Sequence, residues 1–190
     1  MQDWWVASYV VLWLLVIVLC FVVVALARQV GTLHLRLGPR GALEMDEEGP
    51  PLGESPVQLR LEDLEGREVT VGGPGPANVL LFVSPGCNLC EAVLPSIGVA
   101  AKAKGMDATV LVDADQLETV HLFGKRKLNA TVAPAGEAVV SYAVPGTPYV
   151  VVLDDLGVVR GKGTVNNLEQ LEGLIDTAVQ RQHDQERHAS

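Results

Sequence analysis

Cys87 and Cys90, in the run Cys87-Asn88-Leu89-Cys90, are the residues whose type and spacing point to chemistry. A thiolate is the attacking species in disulfide exchange. A second thiol about one helical turn away can close on the first and release a bound substrate. That chemistry asks for an exposed, acidic first cysteine and allows a more buried second one. A Cys-x-x-Cys can also be half of a zinc site, but zinc needs four ligands. The one remaining cysteine, Cys20, lies in an apolar N-terminal run, where a small packing residue is the plainer reading. His34, His121, His183 and His188 form no pair at ligand spacing, so redox chemistry is favoured over zinc.

Several elements must position this pair. Asn78 to Val83 (NVLLFV) is a short continuous apolar run, the pattern of a strand buried on both faces. Ser84, Pro85 and Gly86 form a turn after it. Cys87 then stands at or near the N-terminus of a helix running to about Lys104, where free N–H groups and the helix dipole stabilise a thiolate. Before this unit, residues 57–61 and 68–71 alternate like a hairpin around Leu64-Glu65-Gly66-Arg67. After it come a buried strand over 108–112, helical stretches over 115–127 and 136–143, and a strand over 149–153. Asp154-Asp155-Leu156-Gly157 is a turn, and residues 158–161 return as a strand. Leu168 to Gln182 is amphipathic, with apolar Leu168, Leu171, Leu174, Ile175, Ala178 and Val179 on one face. The tail, 183–190, is polar and is expected to fray. The order predicts an α/β sandwich with a mixed sheet over residues 57–182.

The first 28 residues have a different character. Val6 to Ala27 holds no charged residue, and 22 residues at helical rise span about 33 Å, enough for a hydrocarbon core. Trp4 and Trp5 mark one interface and Arg28 the other, so 1–28 reads as an anchor entering the membrane through residues 6–27. A cleaved signal peptide is the competing reading, through Ala25-Leu26-Ala27. It lacks a basic N-terminal region, and the run exceeds a usual signal core. Residues 29–56 are a juxtamembrane segment and a linker, rich in Gly and Pro from Gly38 to Pro56, with Glu44, Asp46, Glu47 and Glu48. Arg28, Arg36 and Arg40 follow the span and no basic residue precedes it, which by the positive-inside rule places the C-terminal domain in the cytoplasm. Disulfide chemistry is more usual outside. The net charge of −9 gives no basic face for nucleic acid.

At these residues the chain resembles the thioredoxin superfamily. The resemblance rests on NVLLFVSPGCNLC, on Pro95 five residues after Cys90, and on Gly146-Thr147-Pro148 opening the strand YVVVLD. It implies a three-layer α/β/α sandwich, with a cis Pro148 facing the cysteine pair. Over nearly its full length the chain looks like the MauD group of membrane-anchored methylamine utilisation proteins. It shares their uncleaved N-terminal helix, the stretch ARQVGTLHLRLGPRGAL after it, and a redoxin-type hairpin before the cysteines. There are departures. Leu81 stands where thioredoxins proper carry a buried acid. Glu91 and Asp113 are candidate substitutes, although ordinary surface charges are the plainer reading for both.

The expected function is thiol–disulfide exchange on protein cysteines, with Cys87 and Cys90 catalytic and the strip at Thr147 and Pro148 pairing with an extended substrate. The redox-active disulfide is the only expected prosthetic element, with no metal. The resemblance implies a disulfide-rich client such as the methylamine dehydrogenase small subunit, a redox partner in the membrane, and a single-pass protein whose domain faces out of the cytoplasm. Two alternatives remain. A peroxiredoxin-like peroxidase would want a Pro-x-x-x-Thr-x-x-Cys loop, which is absent before Cys87. A non-catalytic, membrane-tethered assembly module would hold its cysteines in an inert disulfide.

Overall fold

The structure, a computed structural model, describes residues 4–5, 8–22 and 48–189. The chain divides into two units, Met1–Pro39 and Arg40–Ser190. In the first, residues 8–22 are helical (α1) and every one of them is exposed. Among the described residues no helix is long and apolar enough to cross a membrane. The expected span extends further: its residues 6–7 and 23–27, with residues 28–47 of the juxtamembrane segment and linker, lie outside the described residues.

The second unit is built on a five-stranded sheet. Its strands are β3 (Asn78–Val83), β4 (Asp107–Val112), β5 (Thr131–Pro134), β6 (Tyr149–Leu153) and β7 (Val159–Thr164), in the order β5-β4-β3-β6-β7. β3, β4 and β5 run parallel, while β6 is antiparallel to both β3 and β7. The apolar runs form the central strands because both faces of the sheet are covered, so neither can be polar. One face carries Val79, Leu81, Val83, Val110 and Val152 against α2 (Asn88–Ala103) and α5 (Leu168–Ala189). The other carries Leu80, Phe82, Leu111 and Val151 against α4 (Gly136–Ser141) and the antiparallel hairpin β1 (Leu59–Glu62) and β2 (Glu68–Val71). A short helix, α3 (Gln116–Phe123), follows β4 and is capped by Asp115, whose carboxylate accepts from Glu118 N–H at 2.8 Å. This is the expected thioredoxin-like arrangement. Its third layer, however, is the hairpin plus one six-residue helix.

Three expectations need correction. β5 was not foreseen: four residues ending in Pro134, next to Ala-Gly, carry too little periodicity to stand out. The closing helix does not end at Gln182, because α5 continues to Ala189. There His183 meets Glu186 at 3.7 Å and Arg187 pairs with Asp184, at the i, i+3 spacing that supports a helix. The last residues of the linker, 48–56, are part of the domain. Pro50 is buried and Leu52 packs on the hairpin side of the core. Gly53 N–H donates to Val159 O, and Val159 N–H donates to Glu54 O, both at 2.9 Å. Glu48 O accepts from Tyr149 Oη at 3.0 Å and from the fully buried Lys162 Nζ at 2.7 Å. From here the chain crosses the sheet to β5, where Leu64 N–H donates to Val132 O at 3.2 Å. Gly and Pro rule out a helix or a long strand in this segment, but they do not stop a strap from docking through its backbone.

Candidate functional site

β3 ends at Val83, and the chain turns through Ser84-Pro85-Gly86, with Gly86 at φ +73°. A left-handed backbone of this kind favours glycine. Cys87 is the N-cap of α2. Its Sγ accepts from Cys90 N–H at 3.2 Å, so the sulfur takes one of the orphan donors of the helix end. Cys87 and Cys90 form a disulfide. Cys87 is half-buried, whereas Cys90 is 2 % exposed and packs with Val93, Leu94 and the β3 side chains. Of the two, Cys87 is therefore the one placed to meet a substrate thiolate.

The second wall of the site is the loop before β6. The Thr147–Pro148 peptide bond is cis. Thr147 O lies 3.8 Å from Cys87 Sγ. In the disulfide this is a contact without a hydrogen to share, and a reduced Cys87 thiol could donate there. Thr147 Oγ1 donates to Ser84 Oγ at 2.9 Å, fastening this loop to the turn before the cysteines. Pro148 is buried and Thr147 half-buried. The structure thus brings Cys87, Cys90, Thr147 and Pro148 together. Ser84 is a site residue that the sequence reading used only as part of a turn, because nothing local shows a hydroxyl reaching across 63 positions.

The rim is uncharged. Between Ser84 and Ala101 the only charged residue is Glu91, and from Ala138 to Leu153 there is none. Leu89, between the two cysteines, is an exposed large apolar side chain at 51 %. Glu91 does not act as the missing buried acid. It faces solvent, and its two oxygens accept from Arg126 Nη1 and Nη2 at 2.6 and 2.9 Å. The Arg126 hydrogen bond, partly opposed by desolvation, holds the Glu91 carboxyl below its usual range. Arg126 also donates from Nε to Leu122 O at 3.1 Å and lies 5.1 Å over the Phe123 ring. Asp113 is exposed at the end of β4, and Leu81 is fully buried on β3.

Pro95 lies inside α2 and is exposed. One turn further, Gly98 lets the helix pass against the loop before β5: a Cβ there would lie 2.0 Å from Asn129 O. What this arrangement can do chemically is exchange a disulfide for two thiols at Cys87.

No family model matches the chain. A curated relative, the methylamine utilization protein MauD of Paracoccus denitrificans, is 33% identical over 180 residues, 93% of this chain and 90% of the relative. Among solved structures, a Bacteroides thetaiotaomicron protein assigned as a protein disulfide isomerase superposes with a TM-score of 0.61 at 19% identity, covering 75% of this chain and 98% of that one. A Chlorobium tepidum protein assigned as the thiol:disulfide interchange protein DsbE gives 0.59 at 20% identity, covering 70% and 98%. At such identities the structural matches speak to the fold.

Proposed function

Since the chain belongs to the MauD family of methylamine utilisation proteins, we propose that it is a membrane-anchored thiol–disulfide oxidoreductase that works on protein cysteines through Cys87 and Cys90. The observation that carries this is the disulfide of half-buried Cys87, the N-cap of α2 with its Sγ 3.8 Å from Thr147 O of the cis Thr147–Pro148 bond, and buried Cys90 one turn behind.

In the oxidising direction a client thiolate attacks Cys87 Sγ. The Cys87–Cys90 bond breaks, and its electron pair leaves on Cys90 Sγ, which takes a proton. A second client thiolate then attacks the client sulfur of the mixed disulfide and expels Cys87 as a thiolate. The client loses two electrons and the pair gains them. A redox partner in the membrane reoxidises the pair. The reverse sequence reduces a client. Thr147 and Pro148 offer the backbone strip against which an extended client segment lies.

Residues 6–27 anchor the protein as a single span, an inference that rests on their uncharged run and on the exposed apolar helix described over 8–22. The domain faces out of the cytoplasm, where a disulfide-rich client such as the methylamine dehydrogenase small subunit would be matured. Insulin reduction or client refolding by the full chain, lost in Cys87→Ser, is the expected result. Full activity in Cys87→Ser would overturn the assignment. A C-terminal reporter that is active only in the cytoplasm would overturn the topology alone.

A further inference from the structure

Glu91 occupies the first turn of α2, one residue beyond Cys90, and its backbone N–H donates to Cys87 O at 3.3 Å. A carboxylate there competes with a Cys87 thiolate for the same positive helix end, and it repels that thiolate. Arg126 meets it with two parallel hydrogen bonds and is itself fixed by Leu122 O and the Phe123 ring. Such a fork holds its geometry better than a single contact. The turn Ser84–Gly86 and the loop Tyr142–Pro148, whose Thr147 O lies 3.8 Å from Cys87 Sγ, contribute no charge, and Glu137 in the first turn of α4 is exposed. The other charged groups near this end are exposed: Asp113 and Asp115 after β4, and Lys125 and Lys127 beside Arg126.

We propose that Glu91 and Arg126 are a positioning pair that sets the ionisation of the Cys87 thiol and hence the redox balance of the couple, with Arg126 offsetting the carboxylate placed at the helix end. The inference rests on the proposed exchange chemistry at Cys87. Its signature is a sign pattern. Removing the Arg126 charge leaves Glu91 facing the thiolate, so Cys87 ionises at higher pH and the couple becomes more reducing. Removing the Glu91 charge leaves a cation, so Cys87 ionises at lower pH and the couple becomes more oxidising. Removing both restores neutrality, and the thiol returns close to its starting value. A pair that merely held α2 to the turn after α3 would give single variants shifted in the same direction, with the double variant no better than either.

The test uses the reduced full chain with Cys20→Ser, alkylated by iodoacetamide across pH, with the modified cysteine identified by peptide mass. At pH 7 the Arg126→Gln rate at Cys87 should fall about threefold and the Glu91→Gln rate should rise about threefold, the scale of one charge near a helix end. The double variant should lie between them, and Arg126→Lys should recover most of the loss. The pH midpoints and the glutathione-equilibrated reduction potentials should move with the rates. Two single variants moving together, or neither moving, would overturn the inference. Failure of the exchange chemistry itself shows separately, as a Cys87 in the unsubstituted pair that alkylates no faster than an ordinary free cysteine. The sign pattern remains readable from the midpoints in that case.

Discussion

The rim around Cys87 and the scaffold behind it treat charge in opposite ways. In the scaffold, two carboxylates are buried and closely partnered. Asp154, at the turn into β7, accepts through Oδ1 from Leu156 and Val158 N–H at 2.9 and 2.8 Å, and through Oδ2 from Arg160 Nε at 2.6 Å. Asp63, at the hairpin turn, repeats the plan with Glu65 N–H, Arg67 N–H and the Arg67 guanidinium at 2.8 to 2.9 Å. Next to the sulfur lie backbone, hydroxyl, amide and apolar groups, and Glu91, the carboxylate on the same helix turn, is paired with Arg126. A buried charge with complete hydrogen bonding fixes a turn, whereas the same charge beside a thiol would fix its ionisation. The two regions can therefore be perturbed independently.

The largest effect is expected for Asp154→Ala. The Arg160 side chain is 12 % exposed, so it would lose its ion pair and keep only Gln185 Oε1, while two turn N–H groups would lose their acceptor in the interior. The variant should lose about 3–5 kcal/mol in urea unfolding, while Cys87 alkylation in the folded protein stays unchanged. A changed thiol reactivity would break the separation of the two regions. Gly98→Ala comes next. Its Cβ would strike the Asn129 backbone, which cannot rotate aside, and should cost about 1–3 kcal/mol. Because Gly98 lies on α2, this variant also asks how far a shifted helix disturbs its own N-terminus.

Asp63→Ala should cost less, about 1–2 kcal/mol, since the Arg67 guanidinium it leaves behind is mostly exposed. Backbone hydrogen bonds, that of Arg67 first, hold the Asp63 carboxyl below its usual range, against desolvation. A carboxyl lowered in the folded state adds stability above its unfolded pKa, about 3.9, and loses it as pH falls through the folded value. The urea midpoint of the unsubstituted chain should therefore drop more steeply below about pH 4 than that of Asp63→Ala. Equal slopes would remove Asp63 from the account.

The smallest effect lies beside the site. Among the described residues Ala143 is the only non-glycine with positive φ, at +48°. Ala143 N–H donates to Val140 O and Val144 N–H to Val139 O, both at 3.0 Å, the pairing that ends a helix in a left-handed residue. α2 ends the same way on Gly105, at φ +72°. Ala143→Gly should stabilise the protein by about 0.5–1 kcal/mol in urea unfolding.

The sequence made the site legible where local signals agree. NVLLFV, the turn and the cysteine spacing mark the end of β3 and the start of α2, and Thr147-Pro148 marks the second loop. The Asp-Asp-Leu-Gly turn and the α5 stripe were equally plain. What stayed hidden depends on distant partners. Thr147 meets Ser84 and Glu91 meets Arg126 only after folding. β5 has four residues and exists because β4 lies beside it. The strap over 48–56 has the composition of a tether, and it is ordered by a buried ammonium and a phenol that come from 101 or more positions away.

That strap and the hairpin behind it bear on how the protein survives crowding. An open sheet margin is a template on which a second chain can assemble, above all while folding is incomplete. Here the outer margin of β7 is occupied at Val159 by Gly53 and Glu54, and that of β5 at Val132 by Leu64. The same stretch of chain guards both flanks against fibre-like growth. Visitors are left with the end of the sheet where the sulfur sits.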